Sequence, residues 1–141
     1  MSGIFGTKAL LIVDVNLILM LIILTTLVIG YLMMRRGRLK IHGYLMFIVV
    51  VLKMASILLV MLPSGLVILT ESHLVNFIPI TAVHVVIGSV TEAVGLYIVW
   101  TWRFKEPTAS CFRLRRFMKW LFILWLATIG LGILLYYLLN I

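Results

Sequence analysis

Two residues of opposite charge lie inside runs that are otherwise almost wholly apolar. Lys53 lies in "YLMFIVVVLKMASILLVML" and Glu92 lies in "AVHVVIGSVTEAVGLYIVW". Counted from the run ends at about 1.5 Å of helix rise per residue, both lie near the middle. An unpaired charge at the centre of a bilayer costs about 2.5–3.5 kcal/mol on insertion scales. The sequence therefore predicts an intramembrane ion pair of Lys53 with Glu92. A structural pair, a proton relay, a Lys53 contact with a partner subunit and a neutral Lys53 all stay open.

A second group of polar residues lies nearer the other ends of the same runs. Asp14 is close to the start of the first apolar run, and His84 is close to the start of the third. Because the two residues share a depth, we predict that Asp14 accepts a hydrogen bond from the His84 ring. Asn16 lies slightly deeper, and His73 lies in the connection before His84. Carboxylate and imidazole ligands suit copper, zinc or iron, so Asp14, His73 and His84 are also a candidate metal site. We favour the hydrogen-bonded pair.

The remaining candidate residues lie at the opposite ends of the runs. His42 opens the second run beside Lys40, so His42 and His84 lie too far apart in depth to hold one haem between them. We expect no cofactor, with haem and copper as the alternatives. The polar and basic residues predicted at this side are His42, Arg35, Arg36, Arg115 and Arg116.

These side chains are carried by a chain that is too apolar to be a soluble domain. Apolar residues make up 65% of the 141 residues and charged residues 11%. Four apolar runs cover residues 9–34, 41–62, 80–101 and 117–139, and each exceeds the ~20 residues that a helix needs to cross the hydrocarbon core. Inside lipid the backbone must form its own hydrogen bonds, so we predict that these runs are helices and not strands. The sequence predicts an all-α integral membrane protein, with one four-transmembrane-helix bundle over residues 1–141.

The basic residues predict the orientation of this bundle. All of them except Lys8 and Lys53 lie in or beside "RRGRLK" and the segment from Arg103 to Lys119. The positive-inside rule places both segments in the cytoplasm, so both termini and the loop "PSGLVILTESHLVNFIP" are expected outside. We expect that loop to lie along the interface or against a partner.

The predicted location is the cell (cytoplasmic) membrane, with multiple passes. We predict that the basic, aromatic segments anchor to lipid and bind no nucleic acid. The single cysteine, Cys111, excludes an internal disulfide.

Several segments resemble one family along nearly the whole chain. They are "GTKALLIVDVNLIL", "IHGYLMF", "LLVMLPS", "AVHVVIGSVTEAVGLYIVW" and "CFRLRRFMKWLFILWLATIGLGILLYYLL". The chain resembles archaeal members of the domain-of-unknown-function 420 (DUF420) family. The resemblance implies a four-span protein, and some bacterial members are linked to maturation of haem-copper terminal oxidases. It also implies that Asp14, Asn16, His42, His84 and Arg116 are the family-type polar positions.

Four functions fit these observations. The first is a small accessory subunit or assembly factor of a larger membrane respiratory or metalloenzyme complex, which is not catalytic on its own. The second is a b-type haem electron-transfer protein that uses His84. The third is an outward-facing metal-handling protein. The fourth is proton conduction or transport through Lys53 and Glu92, which we rank last because the chain lacks the internal repeat typical of transporters. We prefer the first, whose expected partners are other membrane subunits and the lipid bilayer.

Overall fold

The computed structural model describes residues 11–70, 76–102 and 114–140, and these residues are helical apart from short turns, with no strand among them. The helices are α1 Leu11–Arg35, α2 Leu39–Ser56, a π-helical turn Ile57–Met61, α3 Leu62–Thr70, α4 Ile78–Trp102 and α5 Arg115–Asn140. The α2 helix, the π-helical turn and α3 follow one another without a break, so they form one helix from Leu39 to Thr70.

The helices are long and apolar enough to cross a membrane. Within the described ranges there are four of them, 25 to 32 residues long, with mean hydropathies from 1.7 to 2.8. The predictions of an all-helical chain and of four membrane-length helices are therefore confirmed for this part of the chain. Three of the four agree with the predicted runs to within a few residues where both are described.

The second helix is longer than predicted. The predicted run ended at Leu62, before Pro63, yet the helix continues to Thr70. Proline has no N–H and its ring crowds the carbonyl four residues earlier, which normally breaks a helix. Here a π-helical turn lies just before the proline, and in it the Leu62 N–H bonds to the Ile57 carbonyl. This wider turn accommodates the proline, so the helix continues. The first part of the predicted outer loop is thus helical, and residues 71–75 lie outside the described residues.

The four helices form a square in cross-section. The α1 helix packs against α2 and α5, and α4 packs against the same two helices. The α1 and α4 helices are diagonal to each other and make no close backbone contact over the described ranges. Gly37, with φ of 74°, provides the tight turn that reverses the chain between α1 and α2.

The two ends of the bundle differ in chemistry. We call the end where Leu11, Thr70, Ile78 and Asn140 lie the terminal end, and the other end the basic end. Exposed basic residues occur where α1 ends, α2 begins and α5 begins, which gives the basic end its name. Aromatic contacts also lie there, because Tyr31 stacks on Phe122 and Tyr44 meets Trp102 edge to face.

Apolar packing holds the half of the bundle towards the basic end. The cluster of buried apolar side chains draws on α1, α2 and α5 and consists of Ile23, Leu27, Val49, Val50, Leu121, Trp125 and Ile129. On α4, Gly95 faces this cluster, and a methyl group at its Cβ position would lie 2.8 Å from the Trp125 ring and 3.3 Å from Val50. The close approach of α4 to the cluster therefore depends on the absence of a side chain at Gly95.

We expect Gly95→Ala to lower the unfolding free energy by about 1–3 kcal/mol, because the added methyl group forces Trp125 or Val50 to move. Gly130→Ala is the matched control, since nothing lies within 4 Å of its Cβ position. The control should leave stability unchanged or raise it by up to about 1 kcal/mol through helix propensity. Thermal unfolding followed by circular dichroism in detergent measures both. Equal melting temperatures for the two variants would contradict this packing.

Candidate functional site

The buried polar side chains begin at the terminal end and stop near the middle of the bundle. We call the set formed by Asp14, Asn16, Ser56, Lys53, His84 and Glu92 the polar column. All of its members are buried except Asn16, which is half-buried. Beyond the column, towards the basic end, the interior is the apolar cluster described above. We call the half of the interior that contains the polar column the polar half, although Met20, Val60 and Leu135 are also buried there, and we call the other half the apolar half.

The polar column begins with a hydrogen bond between α1 and α5. Tyr136, near the end of α5, donates its hydroxyl to Asp14 Oδ1 at 2.6 Å, and both side chains are buried. Tyr136 was not among the residues predicted from the sequence. The available signal was position, because Tyr136 lies about as far from the end of α5 as Asp14 lies from the start of α1.

A second hydrogen bond joins α1 to α2 slightly deeper in the bundle. The Ser56 hydroxyl donates to Asn16 Oδ1 at 2.6 Å, and Ser56 is almost wholly buried. Ser56 is the last residue of α2, directly before the π-helical turn. Asn16, predicted only from its depth, thus has a definite role as an acceptor between two helices.

Lys53 and Glu92 lie in the same region of the interior, on the adjacent helices α2 and α4. Each side chain is only 3% exposed, and the two charges are close enough to interact electrostatically. Among the described residues, however, Lys53 Nζ and both carboxylate oxygens of Glu92 have no hydrogen-bond partner. The structure thus brings the predicted pair together but does not close it into a hydrogen-bonded bridge, and the ion pair stays a prediction.

His84 is the third ionisable group around Lys53. It is 6% exposed, interacts electrostatically with Lys53, and lies near the Thr128 backbone carbonyl of α5. Its ring fits beside Gly132, where a Cβ atom would come within 3.2 Å of the ring. Nδ1 of His84 has no hydrogen-bond partner in the described part of the chain. Lys53 therefore interacts with two titratable residues of α4, of which the depth pattern in the sequence indicated only Glu92.

The predicted hydrogen bond between Asp14 and His84 joins two diagonal helices. The hydrogen bond that the structure gives Asp14 comes from Tyr136. The orientation of His84 by Asp14 therefore stays a prediction. His73, the third member of the candidate metal site, lies outside the described residues. Within residues 11–70, 76–102 and 114–140, no three histidine, cysteine, aspartate or glutamate side chains come together as a metal site would require.

The buried threonines in this region bond within their own helices. Thr91 donates to the Ile87 and Gly88 carbonyls, and Thr128 donates to the Leu124 carbonyl. Because these hydroxyl hydrogens are already used, the threonines are not donors to the charged groups of the polar column. Trp125 Nε1 is buried without a hydrogen-bond partner in the described ranges, at the border between the polar and apolar halves.

His42 has a structural contact at the basic end. Its Nδ1 lies 2.8 Å from the Gly30 carbonyl oxygen of α1. A carbonyl only accepts hydrogen bonds, so Nδ1 carries the hydrogen in this contact. Four of the predicted basic residues, Arg35, Arg36, Arg115 and Arg116, are exposed at the same end. The hydrogen bond to Gly30 links α2 to α1, and His42 lies apart from the polar column.

A cavity of about 330 Å³ opens between the helices on the basic side. Most of its lining is apolar or aromatic, including Tyr31, Phe122 and Trp102. His42, Lys119 and Trp125 also line it, whereas no member of the polar column does. The cavity and the polar column are therefore separate features of the interior.

Comparisons with known proteins leave the site to be interpreted from its own geometry. No protein-family model, curated protein or solved structure matches this chain. The resemblance to the DUF420 family accordingly stays an expectation based on the quoted segments.

Removing one of the two central charges should harm the protein more than removing both. Lys53→Met alone or Glu92→Gln alone leaves a buried charge without its counterpart, which typically costs about 3–5 kcal/mol. We expect each single variant to lower the amount of folded protein in membranes, and the double variant to recover part of the loss. Fluorescence-detected size-exclusion chromatography of detergent extracts gives the folded amount.

Lys119 is the matched control for the lysine substitution, because it is exposed at the basic end. Lys119→Met should leave the folded amount unchanged and should not rescue Glu92→Gln. A Lys53→Met/Glu92→Gln double variant no better than the worse single variant would show that the two charges do not compensate each other.

Proposed function

We propose that this chain is a multi-pass membrane protein of the cell membrane. The distribution of side chains over the bundle supports the proposal. Ionisable residues inside the apolar helices, such as Lys53 and Glu92, face the interior, while large apolar side chains cover the outer faces. A soluble bundle has the reverse distribution, because water rewards polar surface and penalises exposed apolar area. We infer that lipid covers the outer faces.

The orientation that we propose places the basic end in the cytoplasm. Basic residues from the α1–α2 turn and from the start of α5 meet at that end, so the positive-inside rule applies to both connections together. Exposed aromatic residues such as Trp100 and Trp120 lie near the same end, at the depth where aromatic belts meet lipid head groups.

Within that membrane, we propose that the chain is an accessory subunit or assembly factor of a larger complex. The observation that carries this proposal is the length of the second helix. Its 32 residues span about 48 Å at a rise of 1.5 Å per residue, against a hydrocarbon core of about 30 Å. The extra length is α3, which exposes Leu66, Val67 and Leu69.

Apolar side chains that extend past the hydrocarbon core need another surface to cover them. A second membrane subunit supplies such a surface, and its interface centre would be apolar like this face of α3. The DUF420 resemblance gives the kind of complex that we propose, a haem-copper terminal oxidase or the system that assembles it. In that role the bundle presents a rigid apolar helix and needs no catalytic group of its own.

The orientation is tested by labelling cysteines in sealed cells. We expect a cysteine introduced by Ser2→Cys, in a Cys111→Ser background, to react with a membrane-impermeant maleimide added outside. Native Cys111 should react only after the cells are opened, because its segment is proposed to be cytoplasmic. Labelling of Cys111 in sealed cells would reverse the orientation, and extraction of the chain by carbonate would refute membrane insertion.

The accessory role is tested at the exposed face of α3. We expect Leu66→Ala/Leu69→Ala to release the chain from a larger complex on native gels of mild-detergent extracts. The haem absorbance of the terminal oxidase in the same membranes should fall to the level of membranes that lack the chain. The matched control is Leu134→Ala/Leu138→Ala, which removes two exposed leucines from α5 near the same end. Migration of the wild-type chain at its own mass, with an unchanged oxidase spectrum when the chain is deleted, would refute the role.

A further inference from the structure

We propose that Lys53, His84 and Glu92 form a proton-binding site that exchanges protons with the terminal end of the bundle only. The proposal rests on membrane insertion as proposed above, and not on the identity of any partner complex. It concerns the polar column, whose members the structure brings together from α1, α2 and α4.

Lys53, His84 and Glu92 are buried without the hydrogen bonds that a fixed ion pair requires. A permanent ion pair inside a protein offsets its desolvation with direct contact and with further hydrogen bonds to both groups. Here Lys53 Nζ, both oxygens of Glu92 and His84 Nδ1 have no hydrogen-bond partner among the described residues, and each side chain is more than nine-tenths buried. In the described part of the chain, no hydrogen bond to Lys53 Nζ or to the Glu92 carboxylate fixes the protonation state of either group.

The polar column contains equal numbers of acids and bases. The acids are Asp14 and Glu92, and the bases are Lys53 and His84. Lys53 interacts electrostatically with both Glu92 and His84, so the protonation of each of the three depends on the others. A proton that moves from one of these groups to another leaves the buried charge unchanged. A proton gained from solvent changes the buried charge by one, and the lysine charge helps to decide where that proton binds.

The polar column extends in one direction, from the terminal end to the middle of the bundle. Asp14 and Tyr136 lie at the terminal end, Asn16 and Ser56 follow, and Lys53 is one helical turn beyond Ser56 on α2. Polar side chains thus succeed one another from the terminal end to the central site. Towards the basic end, the apolar side chains of Leu27, Val50 and Trp125 lie between the central site and the cavity, which Leu27 and Trp125 also line. A proton from hydronium at the terminal end can form an O–H bond on Glu92 and leave water behind, whereas the apolar cluster blocks exchange with the basic end.

The buried titratable groups in the half of the interior that contains the polar column are Asp14 on α1, Lys53 on α2, His84 and Glu92 on α4 and Tyr136 on α5. Trp125 of α5 adds an indole N–H that is only a donor. Because the column ends at mid-bundle, the site resembles a one-sided proton store and not a channel. Its occupancy would follow the pH of the compartment at the terminal end.

The experiment uses infrared spectroscopy, which detects the C=O stretch of a protonated carboxyl group. The full chain carries Glu71→Gln and Glu106→Gln, so that Glu92 is the only glutamate, and glutamate is labelled with carbon-13. The protein is reconstituted in sealed vesicles with its sidedness measured, and the pH is changed on one side at a time. We expect a carboxylic acid band that carries the isotope shift and that responds to pH on the terminal side only.

Variants then separate the site from its surroundings. Lys53→Met should shift the pH at which the Glu92 band changes, whereas Lys119→Met, which removes an equal charge at the basic end, should not. No isotope-shifted band change at any pH that preserves the helical circular dichroism would refute proton binding at Glu92, without need of a Glu92 substitution. An equal response to pH on the basic side would refute the one-sided access.

The same titration in detergent, where both ends meet solvent, distinguishes this proposal from the membrane proposal. A chain that fails to float with vesicles but still shows the Glu92 titration in detergent would refute insertion and support the site. A chain that inserts but shows no titration in either medium would support insertion and refute the site.

Discussion

The cost of burying charge in apolar helices is the constraint on which the rest of this structure depends. Asp14, Lys53, His84 and Glu92 each lie on a helix long and apolar enough to cross a membrane. A charge facing lipid at mid-depth costs about 2.5–3.5 kcal/mol or more, so Lys53 and Glu92 facing lipid would together cost a large part of the stability of an ordinary domain. Each of the four faces the bundle interior instead. The interior sides of α1, α2 and α4 are therefore selected by these polar residues.

The helices that carry the polar column are held together mainly by packing in the apolar half of the bundle. Polar groups that lack fixed partners contribute little to stability, so the helices must be held together elsewhere. The cluster around Leu27, Val50 and Trp125 provides that packing, and Gly95 lets α4 approach it closely. At the basic end, the contact of His42 with the Gly30 carbonyl adds a link between α1 and α2. Stability and polar chemistry are thus located in different halves of one interior.

The π-helical turn lies between a buried residue of the polar column and the exposed apolar face of α3. It begins directly after Ser56, the residue that bonds to Asn16, and ends before Pro63. Because the wider turn accommodates the proline, the helix continues as α3 and carries apolar side chains past the length that a bilayer needs. The segment that sequence rules treat as the start of a loop becomes the surface that we propose for a partner subunit.

The sequence by itself determined the helices and the position of each polar residue along them. Run length and hydropathy were enough for four helices, and counting residues was enough to place Lys53 level with Glu92. Helical periodicity also indicates which residues share a face.

The tertiary structure decided which faces meet, because the order of four helices around a bundle depends on how their side chains fit and not on the pattern of any one helix. It placed Tyr136 against Asp14, put α1 and α4 on a diagonal and added His84 to the surroundings of Lys53. It also carried the second helix through Pro63, because the effect of a proline depends on whether the preceding turn can widen.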